Sequence, residues 1–168
     1  FGPSRYDGKS FRNFTTKDGF PSNSIRLLLE DKTGKLWFGA QGENMFVYDA
    51  RLNGEVGQGK TFTVLKNKDG KAFNNVWSII EDKKGNIWFG DNDGLWRYNG
   101  STFTKINQTG AGVIVEDKKG NILAGSGGPI FRYDEQSLSD KKPHVTEIKT
   151  KDEGLRNLPF GILGANDG

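Results

Sequence analysis

The chain contains no cysteine, which excludes disulfides and thiolate-held metals and says nothing firm about compartment. It has a single histidine, His144, so no second imidazole can complete a catalytic triad or a histidine-based metal site. Methionine and alanine, both helix formers, are scarce. No apolar run approaches the length that crosses a bilayer, so no membrane span is expected. Nor is there a block of one charge. The net charge is only +3 over 168 residues, and the lysines recur in "DKKG" and "DKTG" turns. That pattern is a solvated turn face and not a nucleic-acid footprint.

What the chain does have is glycine, 24 residues of it, and aromatic side chains at 12%. That mixture favours many short strands joined by tight turns. It also repeats itself. "EDKTGKLWFG" (30–39), "EDKKGNIWFG" (81–90) and "EDKKGNILAG" (116–125) are three versions of one decamer. An active site needs one copy, whereas a repeated structural unit needs several.

Residues 74–106 give the unit in full and parse as four strands: Val76–Glu81, Asn86–Phe89, Leu95–Tyr98 and Thr102–Ile106. The gaps are turn sequences, including the hairpin dipeptide Asn99-Gly100. Glycines 34, 85 and 120 fit a turn position that needs positive φ. Alternation puts Ile87 and Phe89 on one face of the second strand and Trp88 on the other. A strand apolar on both faces must be covered on both. Trp37 and Trp88, with Leu123 in the third copy, are therefore expected between stacked sheets, each burial contributing about 2–3 kcal/mol. The recurring Glu-Asp pairs are expected to cap turns and not to act as an acid/base pair.

The fold class expected is all-β: a β-propeller of four-stranded antiparallel blades, with about four blade-equivalents present. The expected division is a partial blade at 1–19, blades at 20–65, 66–106 and 107–148, and a partial blade at 149–168. The head reads as the later strands of a blade and the tail as the opening of one, as in a window on a longer array. Two lengthened loops, 49–60 and 134–144, fall between a third and a fourth strand.

Some motifs point elsewhere. "GEVGQGKT" (54–61) satisfies the phosphate-loop formula, but that chemistry needs a helix after it, and "FTVL" comes next. "DNDG" (91–94) lacks the further oxygen ligands of a calcium loop and is assigned to a turn. No catalytic residue, metal site or cofactor is assigned.

The pattern N-x-V-x-x-I-x-E-D-x-x-G-x-I-W-F-G followed by G-L-x-R-Y resembles the two-component regulator propeller repeat. The match is close at 74–106, good at 20–48 and weaker at 107–133, where the third copy loses its tryptophan. The resemblance implies a propeller outside the cytoplasmic membrane of a bacterium, periplasmic or cell-surface exported, in a family rich in ligand sensors. In such a fold the loops from fourth to first strand and from second to third strand gather on one face. Those loops hold Phe20, Asn23, Gln41, Phe73, Asn74, Asn75, Asp91, Asp93, Arg156 and Asn157. Amides, carboxylates and an aromatic ring suit a hydroxyl-rich ligand such as an oligosaccharide, or another small molecule. The recurrent Asn23, Asn74 and Asn157 could equally cap turns. Three functions stay open: a ligand-recognition domain, a propeller docking an envelope protein or the remainder of a larger propeller, and an enzyme such as a lyase, against which the lone His144 counts.

Overall fold

The computed structural model describes residues 2–6, 8–42, 44–49, 62–73, 75–126, 128–138, 140 and 143–148. The chain divides into two compact units, 1–76 and 77–168. Apart from two single 3-10 turns, at Thr16–Asp18 and Glu135–Ser137, the regular structure of the described residues is strand.

In the first unit, β1 (Ser4–Tyr6) and β2 (Phe11–Asn13) pair as a hairpin. β3 (Ile25–Glu30), β4 (Lys35–Ala40), β5 (Phe46–Asp49) and β6 (Thr63–Val64) form a four-stranded antiparallel meander. Its core is aromatic. Phe14 and Phe20, from the segment before β3, pack with Phe38, Phe46 and Tyr48, and Phe62 closes the cluster. The Phe20 ring lies 5.5, 5.4 and 4.5 Å from the rings of Phe14, Phe38 and Phe62.

The second unit holds two such meanders: β7 (Ser78–Glu81), β8 (Ile87–Asp91), β9 (Gly94–Tyr98) and β10 (Phe103–Asn107), then β11 (Val113–Glu116), β12 (Ile122–Gly125), β13 (Ile130–Tyr133) and β14 (Val145–Ile148). β8 is buried at all five positions, as a strand apolar on both faces requires. Trp88 and Leu95 from one meander pack on Ala111, Ile114, Ile122, Ala124 and Tyr133 of the next. Trp88 is thus mortar between two sheets and Trp37 is buried, while Leu123 is only half-buried.

Each decamer is a hairpin closed by its own aspartate. Asp31 Oδ1 accepts hydrogen bonds from the Thr33 and Lys35 amides at 2.8 and 3.0 Å. Asp82 and Asp117 accept in the same way from the Asn86 and Asn121 amides, each at 2.8 Å. Gly34, Gly85 and Gly120 supply the positive φ, between 80° and 86°. The second carboxylate oxygen does something the repeat did not announce. Trp37 Nε1 donates to Asp31 Oδ2 and Trp88 Nε1 to Asp82 Oδ2, both at 2.8 Å. The buried indole is therefore also part of the turn's fastening. Where Leu123 replaces it, Asp117 Oδ2 keeps one donor from this set, Asn121 Nδ2 at 2.7 Å.

Strand ends differ slightly from expectation. β7 begins at Ser78, and β8 runs on through Gly90 to Asp91. The loop after β9 centres one residue later than Asn99-Gly100, because the Asn99 side chain accepts from the Ser101 and Thr102 amides. The segment 50–61, including the phosphate-loop formula, lies outside the described residues; the next described element is the strand Thr63–Val64. No described helix is long and apolar enough to cross a membrane.

Candidate ligand-binding rim

The turns between second and third strands, and the segments that lead into first strands, are bound to one another within each unit. In the first unit the Gln41 amide donates to Ser24 O at 2.9 Å, and the Gly42 amide donates to Asn75 Oδ1. The Met45 amide donates to Phe73 O at 2.8 Å. One turn is therefore held from both sides by the loops that precede two successive blades. This brings Gln41 and Asn75 together, with Asn75 itself in the left-handed region at φ 53°.

Three of the remaining first-unit candidates, Phe20, Asn23 and Phe73, have structural roles. Phe20 and Phe73 are 4% and 1% exposed, so their rings lie in the core and present no surface to a ligand. Asn23 is exposed, but its Oδ1 already accepts from the Thr16 amide at 2.9 Å. It braces the short 3-10 turn, whose other fastening is Asp18 Oδ2 accepting from the Thr15 amide at 2.9 Å. That backbone bond holds the Asp18 carboxyl below its ordinary range. Asn74, Arg156 and Asn157 lie outside the described residues.

In the second unit Asp91 closes the β8–β9 turn. Its Oδ1 accepts from the Asp93 and Gly94 amides, both at 2.9 Å, and from Trp96 Nε1 at 3.0 Å. Burial nevertheless dominates and pushes the Asp91 carboxyl above its ordinary value. Asp91 is thus a turn fastener, and Asp93, half-buried, sits at the turn's crest. The loop 107–112 lies directly on this turn. A Cβ on Gly90 would stand 2.0 Å from Ala111 O, and one on Gly94 2.1 Å from Asn107 O. Behind it, Asn107 Nδ2 donates to Tyr133 Oη at 2.9 Å. The recess there, lined by Leu95, Asn107, Ala124 and Tyr133 among others, is about 10 Å³ and admits a single water.

Two exposed residues of this rim escaped the sequence reading. Trp77 is 45% exposed, and its Nε1 donates to Asn92 Oδ1 at 3.0 Å. Relative to the decamer's aspartate, Trp77 occupies the place of Arg26 and Gly112, and Asn92 that of Gln41 and Gly127. The signal was available: an aromatic side chain where the other copies of the repeat do not ask for one. Reading by the shared residues passes over it.

Among the described residues no group of three or more His, Asp or Glu side chains is gathered to hold a metal. His144 belongs to the opposite end of its sheet, in the lengthened loop between β13 and β14, where Nδ1 lies 2.6 Å from Asp134 Oδ2. That contact holds the Asp134 carboxyl below its ordinary range.

Four-stranded antiparallel meanders fastened by aspartate turns, two of them stacked through Trp88 within the second unit, are the blades of a β-propeller. Residues 19–42 and 70–96 match the family model described as "Two component regulator propeller". Those two segments carry repeats of that family. Solved structures of the same fold include the extracellular domain of a hybrid two-component system protein of B. thetaiotaomicron, with TM-score 0.65 at 19% identity, covering 84% of this chain. Another is PorZ, a surface component of the type-IX secretion system of Porphyromonas gingivalis, with TM-score 0.57 at 17% identity and 77% of this chain covered. A third is a catalytically inactive histidine-to-alanine variant of virginiamycin B lyase from Staphylococcus aureus, with TM-score 0.59 at 14% identity and 89% covered. The chain spans 19%, 22% and 49% of those three structures, respectively. No curated protein sequence matches it.

Proposed function

We propose that this chain is part of an exported, periplasmic or cell-surface recognition propeller of the sensor type, which binds a glycan fragment on its rim loops and performs no catalysis. The observation that carries the reading is the rim itself. Within the first unit Asn75 fixes the turn beside the exposed amide side chain of Gln41, and within the second Asp91 fixes the turn that carries the exposed amide side chain of Asn92. Preformed backbone with amides on top suits a ligand whose hydroxyls both donate and accept. The family description, and a solved relative that is the extracellular part of a two-component protein, support the sensor assignment. Against catalysis stands the only histidine, which is exposed, paired with Asp134 and on the end away from the rim.

A panel of neutral oligosaccharides screened by thermal shift tests this. A specific ligand at a hundred times its Kd stabilises by about 2.7 kcal/mol and raises the melting temperature. A panel-wide failure to shift it removes the glycan reading. A second reading, docking to an envelope protein, draws support from the likeness to PorZ. In that case a purified partner co-elutes with the chain, and no sugar competes.

A further inference from the structure

We propose that the β1–β2 hairpin of the first unit is a docking edge for one extended strand of a partner polypeptide. That strand carries the decamer's own pattern of an apolar residue, tryptophan, phenylalanine and glycine. The site is separate from the rim and does not rest on the glycan reading.

Three observations converge on such a strand. The first is an open backbone edge. The Phe14 amide donates to Pro3 O at 2.9 Å, and Arg5 stands opposite Arg12. Bonded and non-bonded positions alternate along an antiparallel pair, so Ser4 and Tyr6 turn their N–H and C=O groups away from β2. The described residues pair no strand with that side of β1. An edge of this kind is a template for another strand.

The second is apolar surface. Tyr6, Phe11 and Leu28 are 57%, 74% and 55% exposed, more than any other large apolar side chain among the described residues. The Tyr6 and Phe11 rings lie 4.7 Å apart and make one continuous surface on one face of the hairpin.

The third is the cover that the same positions receive in the second unit. Arg5 and Tyr6 hold the places of Arg97 and Tyr98 in the repeat. Phe11 stands opposite Tyr6 as Phe103 stands opposite Tyr98. Leu28 and Ile114 each precede their decamer's aspartate by three residues. Along the matching edge of β9 lies β8. Its Phe89 ring meets Phe103 edge-on at 6.0 Å. Its Trp88 pairs with Arg97, whose guanidinium sits 5.7 Å from the indole centroid. Trp88 also shares a core with Ile114, which is only 3% exposed. One strand thus covers every position that the first unit leaves in water. Laid along β1, such a strand brings its phenylalanine to Phe11 and its tryptophan to Arg5 and Leu28. The four tryptophans of this chain stand elsewhere in the described fold, so the strand belongs to a further copy of the repeat on the partner. Backbone groups along an edge, with side-chain demands alternating between two faces, are met by a polypeptide strand.

The test titrates the whole chain against a labelled synthetic peptide, KKGNIWFGDN, the sequence of residues 83–92. Fluorescence anisotropy reads binding, and amide hydrogen exchange locates it. The peptide is expected to bind one to one and to protect the Ser4 and Tyr6 amides. Alanine in place of the peptide's tryptophan or phenylalanine weakens binding at least about tenfold. Phe11→Ala in the chain does the same, while Phe11→Tyr, which keeps a ring, weakens binding less than about threefold. Phe11 is largely exposed, so both variants keep the parent circular dichroism spectrum. The proposal is overturned if the peptide does not bind, or if a scrambled peptide binds equally well. Binding that leaves Ser4 and Tyr6 unprotected, or that Phe11→Ala does not diminish, overturns it too. These readouts are independent of the oligosaccharide screen, so the two readings fail separately.

Discussion

The same residue type does opposite electrostatic work at two points of this chain. Asp82 places Oδ2 against two donors, Trp88 Nε1 and Asn86 Nδ2, and Oδ1 against the Asn86 amide. An amide in its place turns an N–H₂ toward donors, so Asp82→Asn should destabilise by about 2–3 kcal/mol in denaturant unfolding. Asp91 uses only Oδ1 in its three bonds, and its buried charge is held at a cost. Asparagine retains that oxygen and removes the charge. Asp91→Asn should therefore be at least as stable as the parent at pH 7. Because the folded value of Asp91 is raised, its protonation relieves the burial cost as pH falls. The variant's advantage in melting temperature should accordingly shrink as pH falls from 7 through that raised value. A constant offset across that range would contradict the assignment. A repeated aspartate before a glycine turn reads as a cap in the sequence, and it is one. Its bond to an indole six residues on was not readable, because the tryptophan's burial already accounted for its presence. Phe20 and Phe73 erred the other way: adjacency to a loop placed them on the rim, whereas ring packing holds them in the core.

Hairpins were the legible elements. Alternation, a four-residue turn and a glycine with positive φ are all local, so the decamers announced themselves three times. The ties between elements were not legible, because they join backbone atoms to distant side chains. Gly42 to Asn75 spans 33 residues, as does the Lys83 amide to Glu116. Glycine 90 shows the difference. A Cβ at Gly34 meets open space and costs only its φ of +80°, about 1 kcal/mol. A Cβ at Gly90 strikes Ala111 O at 2.0 Å, backbone against backbone. Gly90→Ala should cost about 3 kcal/mol. It should also raise amide exchange in 107–112, the segment leading into the next sheet, whereas Gly34→Ala loosens only its own turn. Equal costs for the two would remove close backbone approach as the reason for glycine there.

For the molecule as a whole, acid is the informative stress. Burial raises Asp31 and Asp117, but bonds from Trp37 and Thr33 to the one and Asn121 to the other outweigh it and hold both below the ordinary carboxylate value. A depressed folded value means their stabilisation is complete above the unfolded pKa of about 3.9 and is lost as pH falls through the folded values. The melting temperature should hold from pH 7 to about 5 and drop steeply below about pH 4. A fall beginning near pH 6 would point to groups other than these turn aspartates. The repeat made the sheets of this molecule legible. It could not do the same for the positions that differ between copies, as Trp77 and Arg26 do, because no shared pattern fixes what stands there.

The self-contained aspartate turn has a genealogical consequence. A stretch of gene encoding one such hairpin carries its own fastener, so a tandem duplicate is structurally competent from the moment it is copied, whatever sequence flanks it. Descendants can then drift apart at their crests while their fasteners stay alike. Lineages built this way should diversify in what they recognise much faster than in how they are assembled.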